Sequence, residues 1–243
     1  ARAAARHGFS DIVLLAGYLG AQFDARYQGL RARGATVRVV HEAQPMGTAG
    51  AIRLVLAELD DVFLLGNGDS FFDINLRALQ APASGELSMA LYTGAAGQRY
   101  GTVSLHDGRV RSFHEPHEGV PGPINAGIYL MSKDVVTEFP PTASSIERDH
   151  FPRLARQGRI RAAAFDRYFI DMGVPEDLAR AQREMTQLTR RPAVFFDRDG
   201  VLNADHGYVH RPDQFEWLPG AVEAIRLCND RGYLAFVVTN QAG

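Results

Sequence analysis

Hydrophobic and polar positions along this chain set short, wholly apolar runs against longer stretches with helical spacing. The runs Ile12-Val13-Leu14-Leu15, Thr36-Val37-Arg38-Val39-Val40 and Val62-Phe63-Leu64-Leu65 read as strands, and residues 48–59 between the last two read as a helix. Alternation of this kind predicts a mostly parallel sheet with helices on both faces and ligands at the carboxyl ends of its strands. Across residues 86–131 the rhythm changes to short strands broken by Asp107-Gly108 and by the Gly/Pro stretch 119–123, which predicts an antiparallel insertion placed as a lid. Helical patterning returns at 145–157, and two short strands follow at 160–165 and 168–172. Pro175 then opens a helix to Leu188, proline being suited to a first helical turn. The polar segment Thr189-Arg190-Arg191-Pro192 separates this body from a new apolar strand, Ala193-Val194-Phe195-Phe196. A helix over 221–230 and a buried strand over 233–238 complete a βαβ unit. The expected organisation is α/β, with one domain over residues 1–188 and the start of a second over 189–243.

Composition narrows the class. The 243 residues are 46% hydrophobic, enough for a globular core. Lys and Arg number 26 against 28 Asp and Glu, a formal charge of -2, so no basic field exists to hold nucleic acid or an acidic membrane. The single cysteine, Cys228, excludes an internal disulfide and a cysteine-based zinc site, and its apolar setting reads as a packed helix position. No apolar run reaches about 18 residues and no signal-peptide pattern opens the chain, so a cytoplasmic location is expected. The chain starts inside a helical pattern and stops just after a strand, and so reads as a fragment.

The strongest chemical signal lies in the second domain. The strand ending at Phe196 runs into Asp197-Arg198-Asp199-Gly200, which puts two carboxylates at a strand tip. Phosphate-ester attack needs a nucleophile, a proton donor for the leaving oxygen and a cation, and Asp197 and Asp199 can supply the first two. The following strand ends in Thr239-Asn240-Gln241. Taken singly, these residues read equally as loop and helix caps. Together, in this order, they resemble the haloacid dehalogenase superfamily. That resemblance implies a Rossmannoid fold, an aspartyl-phosphate on Asp197, a proton shuttle at Asp199 and a phosphoryl contact from Thr239. It also implies magnesium held by Asp197 and Asp199, the latter through its backbone carbonyl. The continuation Val201-Leu202-Asn203 and the run His206-Gly207-Tyr208-Val209-His210 are similar to heptose bisphosphate phosphatases and their histidinol-phosphatase relatives. By that resemblance, a later lysine, a further acidic ligand and a zinc loop would lie beyond Gly243.

In the first domain, Glu42-Ala43-Gln44-Pro45-Met46-Gly47-Thr48-Ala49-Gly50 places small residues at a helix start, where bare backbone can approach a base and ribose. Thr48 could equally be a helix N-cap. Asp69 follows the strand 62–65, and Asp171 follows 102 positions later on another strand, as in a metal site assembled from separate elements. Each acid alone is also an ordinary turn residue. These segments together resemble the sugar-phosphate nucleotidyltransferases over nearly all of residues 1–188, and the implied fold is a Rossmann-like sheet. The resemblance implies magnesium on Asp69 and Asp171, and a nucleotide, by likeness GTP, against Glu42, Gly47, Thr48, Ala49 and Gly50. It implies a sugar 1-phosphate pocket lined by Tyr100, Gly101, Glu115, Asn125, Gly127 and Glu147. Two departures stand out: Pro116 replaces a family lysine, and the family's Gly-rich amino-terminal loop would lie before Ala1, so this stretch by itself is expected to be inactive.

A phosphatase that exposes a sugar 1-phosphate and a transferase that consumes one are consecutive steps. The combined expectation is a bifunctional enzyme of nucleotide-sugar biosynthesis acting on heptose 1,7-bisphosphate and then on heptose 1-phosphate. Another sugar phosphate, histidinol phosphate, or a nucleotide-sugar binding protein without turnover remain open alternatives.

Overall fold

A computed structural model describes residues 1–94, 100–188 and 191–240. Thr189 and Arg190 of the expected linker, and Gln241 of the Thr-Asn-Gln motif, lie outside the described residues. The chain divides into two units, Ala1–Phe72 with Leu76–Phe169, and Asp73–Asn75 with the residues from Ile170 onward.

The first unit begins with α1 (Arg2–Arg6), β1 (Asp11–Ala16), α2 (Ala21–Tyr27), β2 (Arg31–Ala32) and β3 (Ala35–His41). β3 lies parallel to β1 and antiparallel to β2, in the order β1-β3-β2. Then come α3 (Gly47–Arg53), β4 (Val62–Gly66), β5 (Ser70–Phe72), β6 (Leu87–Tyr92), β7 (Thr102–His106), β8 (Arg109–His114), β9 (Ile124–Ser132), α4 (Lys133–Thr137), α5 (Phe151–Arg156) and β10 (Ile160–Phe165). Six of these strands form one sheet in the order β4-β9-β6-β10-β8-β7.

This sheet is mixed. β6 and β10 run parallel, whereas β9 is antiparallel to both β4 and β6. A wholly apolar run reports that a strand is buried on both faces, and burial says nothing about direction. Among the described residues of 86–131, β6 and β9 belong to the body of the sheet rather than to a lid. Leu87, Met89, Ala90 and Leu91 of β6 have no exposed surface, because β6 sits inside the sheet between β9 and β10. Only the β7–β8 hairpin, turned at Asp107-Gly108, lies at the edge.

One core joins the sheet to its helices. Leu87, Met89, Leu91, Tyr129 and Met131 pack with Val135, Val136 and Phe139 around α4, and with Phe151, Leu154 and Ala155 of α5. Fully burying a side chain of this size contributes about 1.5–3 kcal/mol, so this cluster dominates the unit's stability. The helix expected over 145–157 is divided into a π-helical turn (Ile146–His150) followed by α5. Pro152, in the first turn of α5, has no N–H for the Arg148 carbonyl, and the ladder changes register there. The helix expected over 48–59 closes after Arg53, and a separate 3-10 turn covers Leu56–Glu58. The Arg53 guanidinium donates to the carbonyls of Val136, Thr137 and Phe139 at the end of α4, at 3.2, 3.0 and 2.8 Å.

After the short strand β11 (Phe169–Asp171), the second unit contains α6 (Pro175–Leu188), β12 (Ala193–Asp197), α7 (Ala221–Asp230) and β13 (Leu234–Val238). β12 and β13 pair in parallel across α7, with Phe195 stacked on Phe236 at 5.2 Å. Arg191 pairs with Asp73, and Asn75 donates to Asp230 at 2.7 Å. These two strands were expected to be buried, yet Phe195 is 67% exposed and Val238 56%. A two-stranded sheet with one crossover helix cannot cover both of its faces.

Candidate active site

Strand β9 is bent at Gly127. The three residues of β6 from Met89 to Leu91 face five of β9, from Tyr129 to Asn125, so β9 carries a bulge. Gly127 takes φ +70, and a Cβ there would sit 2.8 Å from the Asn67 amide nitrogen. Only glycine suits that position. The Gly127 carbonyl accepts from the Asn67 N–H at 2.8 Å, which fixes the segment leaving β4. The Gly127 N–H donates to Asn125 Oδ1 at 3.0 Å, and Asn125 Nδ2 donates to Tyr129 Oη at 2.8 Å. Tyr129 Oη donates in turn to Glu147 Oε1 at 3.1 Å, and Asn67 Nδ2 lies 3.4 Å from the same oxygen. Burial pushes the Tyr129 phenol well above its ordinary range, with the Glu147 charge adding to the rise, so it stays a protonated donor.

Asn125, Gly127 and Glu147, all expected from the sequence, therefore share one ring of hydrogen bonds. Asn67 and Tyr129 complete it. Both were visible only as members of longer runs, and nothing in the spacing of 67, 129 and 147 signals that they meet.

The segment expected to face a nucleotide is bound to the segment carrying Glu147. Ser144 N–H donates to the Met46 carbonyl and Ala49 N–H to the Ser144 carbonyl, both at 2.9 Å. Thr48 Oγ1 accepts from the Ile146 N–H at 2.8 Å. Thr48 is thus not the N-cap of α3, a position held by Met46 without a side-chain cap. Gly47, at φ +65, has no room for a side chain, since a Cβ would stand 2.5 Å from the Ser144 carbonyl oxygen. Ala49 and Gly50 are buried at the start of α3, and Glu42 Oε2 accepts from the Met46 N–H at 2.8 Å.

Tyr100, Gly101 and Glu115 cluster at the β7–β8 hairpin. Gly101 lies against the His114 carbonyl, where a Cβ would collide, and the Tyr100 ring stands 6.2 Å from Phe169. Glu115 is exposed and precedes a 3-10 turn that Pro116 opens. Pairing of Thr102 with Ile124 puts Gly101 and Asn125 one residue from the same register point.

Asp69 is exposed just beyond β4, and the Ser70 hydroxyl donates to its carboxylate at 3.4 Å. An exposed carboxylate suits a hard cation. Asp171, in the second unit, accepts the Gly173 N–H at 2.9 Å. Among the described residues, no group of three or more His, Cys, Asp or Glu side chains is arranged to hold a metal.

In the second unit, Asp197 pairs with Val238, so Asp197 and Thr239 stand at neighbouring strand tips. Asp197 is exposed, and its Oδ1 accepts the Arg198 N–H at 2.7 Å. Gly200, at φ +76, turns the chain so that Asn203 returns beside Asp199. The Asp199 carboxylate accepts from Arg198 Nε and Nη2, at 3.0 and 2.9 Å, and from Asn203 Nδ2 at 3.0 Å. His206 and His210 do not converge: the first bonds Glu216 at 3.1 Å, and the second stacks on Tyr208.

The chain is 30% identical over 185 residues to a D-glycero-alpha-D-manno-heptose 1-phosphate guanylyltransferase of Aneurinibacillus thermoaerophilus, covering 74% of this chain and 80% of the relative. The carboxy-terminal portion is similar to a D-glycero-beta-D-manno-heptose-1,7-bisphosphate 7-phosphatase of Pasteurella multocida, 53% identical over 53 residues, or 22% of this chain. That match spans 29% of the phosphatase's own length. The crystal structure of HddC from Yersinia pseudotuberculosis complexed with GMP-PN superposes with a TM-score of 0.64 at 26% identity, over 75% of this chain and 82% of that one. The nucleotidyl transferase family model matches residues 1–188, and the chain belongs to that family.

Proposed function

We propose that residues 1–188 transfer a nucleotidyl group, GMP from GTP, to a heptose 1-phosphate, and that residues 189–243 belong to a unit that removes the 7-phosphate from the heptose bisphosphate precursor. One observation carries the first part: the ring around Glu147 is bonded through Ser144 and Ile146 to the segment proposed to face the nucleotide. A sugar site and a nucleotide site that share backbone hydrogen bonds suit a reaction between the two ligands.

In this reading Asn125 and Glu147 hold the sugar, with Tyr100, Gly101, Gly127 and Glu115 around it, while Glu42, Gly47, Thr48, Ala49 and Gly50 surround the base and ribose. An oxygen of the sugar 1-phosphate attacks the α-phosphorus in line, the new P–O bond forms, and the bond to the β-phosphate breaks to release pyrophosphate. Positioning and charge neutralisation carry the step. Asp69 and Asp171 are the residues proposed to hold magnesium, which supplies neutralisation of phosphate charge.

For the second unit, Asp197 attacks the phosphorus of the 7-phosphate, Asp199 protonates the leaving sugar oxygen, and water activated by Asp199 then hydrolyses the aspartyl-phosphate. Thr239 would hydrogen-bond a phosphoryl oxygen. The names of the two relatives differ in anomer. Because both steps are proposed for one protein, the bisphosphate must carry the anomer that the transferase consumes. A single cysteine and phosphorylated substrates fit a cytoplasmic location, and no described helix is long and apolar enough to cross a membrane.

The test is magnesium-dependent pyrophosphate release by the protein at its full natural length, given GTP and heptose 1-phosphate. Asp69→Ala is expected to abolish the release, and unchanged activity in that variant removes Asp69 from the metal role.

A further inference from the structure

In a regular strand, with about 3.3 Å of rise per residue, Asn125 and Tyr129 would stand roughly 13 Å apart. The bulge at Gly127 brings their side chains to 2.8 Å. Tyr129 is 1% exposed, with its ring packed edge-on against Phe151 at 5.0 Å. A buried phenol normally finds one partner. This one has two, accepting from Asn125 and donating to Glu147.

The donors that reach Glu147 are both neutral, the Tyr129 hydroxyl and the Asn67 amide, and both go to Oε1. Among the described residues no Lys or Arg pairs with Glu147, and Oε2 has no hydrogen-bond partner. The carboxylate is therefore anchored by one oxygen and presents the other as an acceptor. Sugar hydroxyls are donors that such an oxygen can take, and a bond to a charged acceptor is stronger than one between neutral groups.

We propose that Tyr129 is a positioning residue for the sugar-phosphate substrate, its hydroxyl holding Glu147 by Oε1 and Asn125 by its amide so that Oε2 of Glu147 receives hydroxyls of the sugar. This rests on the reading of the ring as the sugar site. Tyr129 touches no substrate itself. It acts by removing the rotamer freedom of two groups that do, and the ordering cost is met before the ligand arrives.

Tyr129→Phe keeps the buried ring and removes only the hydroxyl, so steady-state kinetics of the full-length protein separate its effect by substrate. The expected result is a fall of roughly tenfold in kcat/KM for the sugar 1-phosphate, the size of one lost charge-assisted hydrogen bond, with the KM for GTP nearly unchanged. In a Glu147→Gln background the same substitution should change kcat/KM by less than about twofold, because the two residues act through one contact. A folded Tyr129→Phe protein with wild-type kcat/KM overturns the role, as does a full tenfold loss that persists without the Glu147 charge. A wild-type protein that turns over no sugar 1-phosphate overturns the site reading and the role together, which distinguishes that failure from the others.

Discussion

At the level of single residues, one glycine shapes the candidate site and one histidine ties stability to pH. Gly127→Ala must place a Cβ in a left-handed conformation and against the Asn67 amide, 2.8 Å away. The conformation alone costs about 1–2 kcal/mol. The expected outcome is a modestly destabilised protein whose affinity for sugar 1-phosphate falls more than its affinity for GTP, measured by calorimetry with each ligand. Equal losses would mean that the bend serves the fold alone. His150 lies against Phe139 with the rings tilted at 4.3 Å and is bonded to Ser144, and burial, then the Arg153 charge, lowers its pKa from the ordinary value of 6.5. A lowered histidine pKa means that the unfolded chain takes up the proton first. Stability is complete above the ordinary value and declines as pH falls below it. A urea midpoint that drops between pH 7 and 5 in the wild type, and drops less in His150→Phe, is the expected signature.

The same residues show what could be read from sequence. Asn125, Gly127 and Glu147 sit in runs that resemble a known family, and all three meet in space. Asn67 and Tyr129 sit in the same kinds of run but were not singled out, because their role depends on a bulge that brings residues four apart into contact and on a chain reversal that returns Glu147 to them. Thr48 has the composition of an N-cap, and only the approach of Ile146 makes its hydroxyl an inter-segment acceptor.

Among the elements, the π-helical turn and α5 determine where Glu147 stands. Phe151, fully buried, touches both Phe113 and Tyr129. Phe151→Ala is expected to cost about 3–5 kcal/mol and to weaken sugar-phosphate binding through Tyr129. A thermal melt with an unshifted midpoint would falsify that dependence. Strand positions were legible from apolar runs: β1, β3, β4, β10, β12 and β13 lie within a residue or two of their expected ranges. Pairing direction was legible in part: the antiparallel section expected over 86–131 matches the β6–β9 and β7–β8 pairings, whereas the antiparallel pairing of β4 with β9 was not signalled. β6 and β9 are apolar on both faces whether they run parallel or antiparallel to their neighbours, and their place inside the sheet is a property of the whole unit. The break between Glu147 and α5 was signalled in principle by Pro152, although helical periodicity over 145–157 masked it.

For the whole molecule, two sets of carboxylates are proposed to serve two consecutive reactions on one sugar, and substitutions should separate them. Asp197→Asn is expected to abolish phosphate release from heptose 1,7-bisphosphate while leaving the fold and pyrophosphate release intact. Phosphate release at the wild-type rate in that variant ends the nucleophile assignment. Asp199 is held by Arg198 and Asn203, so Arg198→Ala should change the pH dependence of phosphate release more than substrate binding.

The central claim is nucleotidyl transfer to a heptose 1-phosphate, and pyrophosphate release tests it most directly. The full-length protein, given GTP, magnesium and D-glycero-α-D-manno-heptose 1-phosphate, should release pyrophosphate faster than with other sugar 1-phosphates, and Asp69→Ala should not. No release from the heptose 1-phosphate with any nucleoside triphosphate, or an undiminished rate in Asp69→Ala, would contradict it.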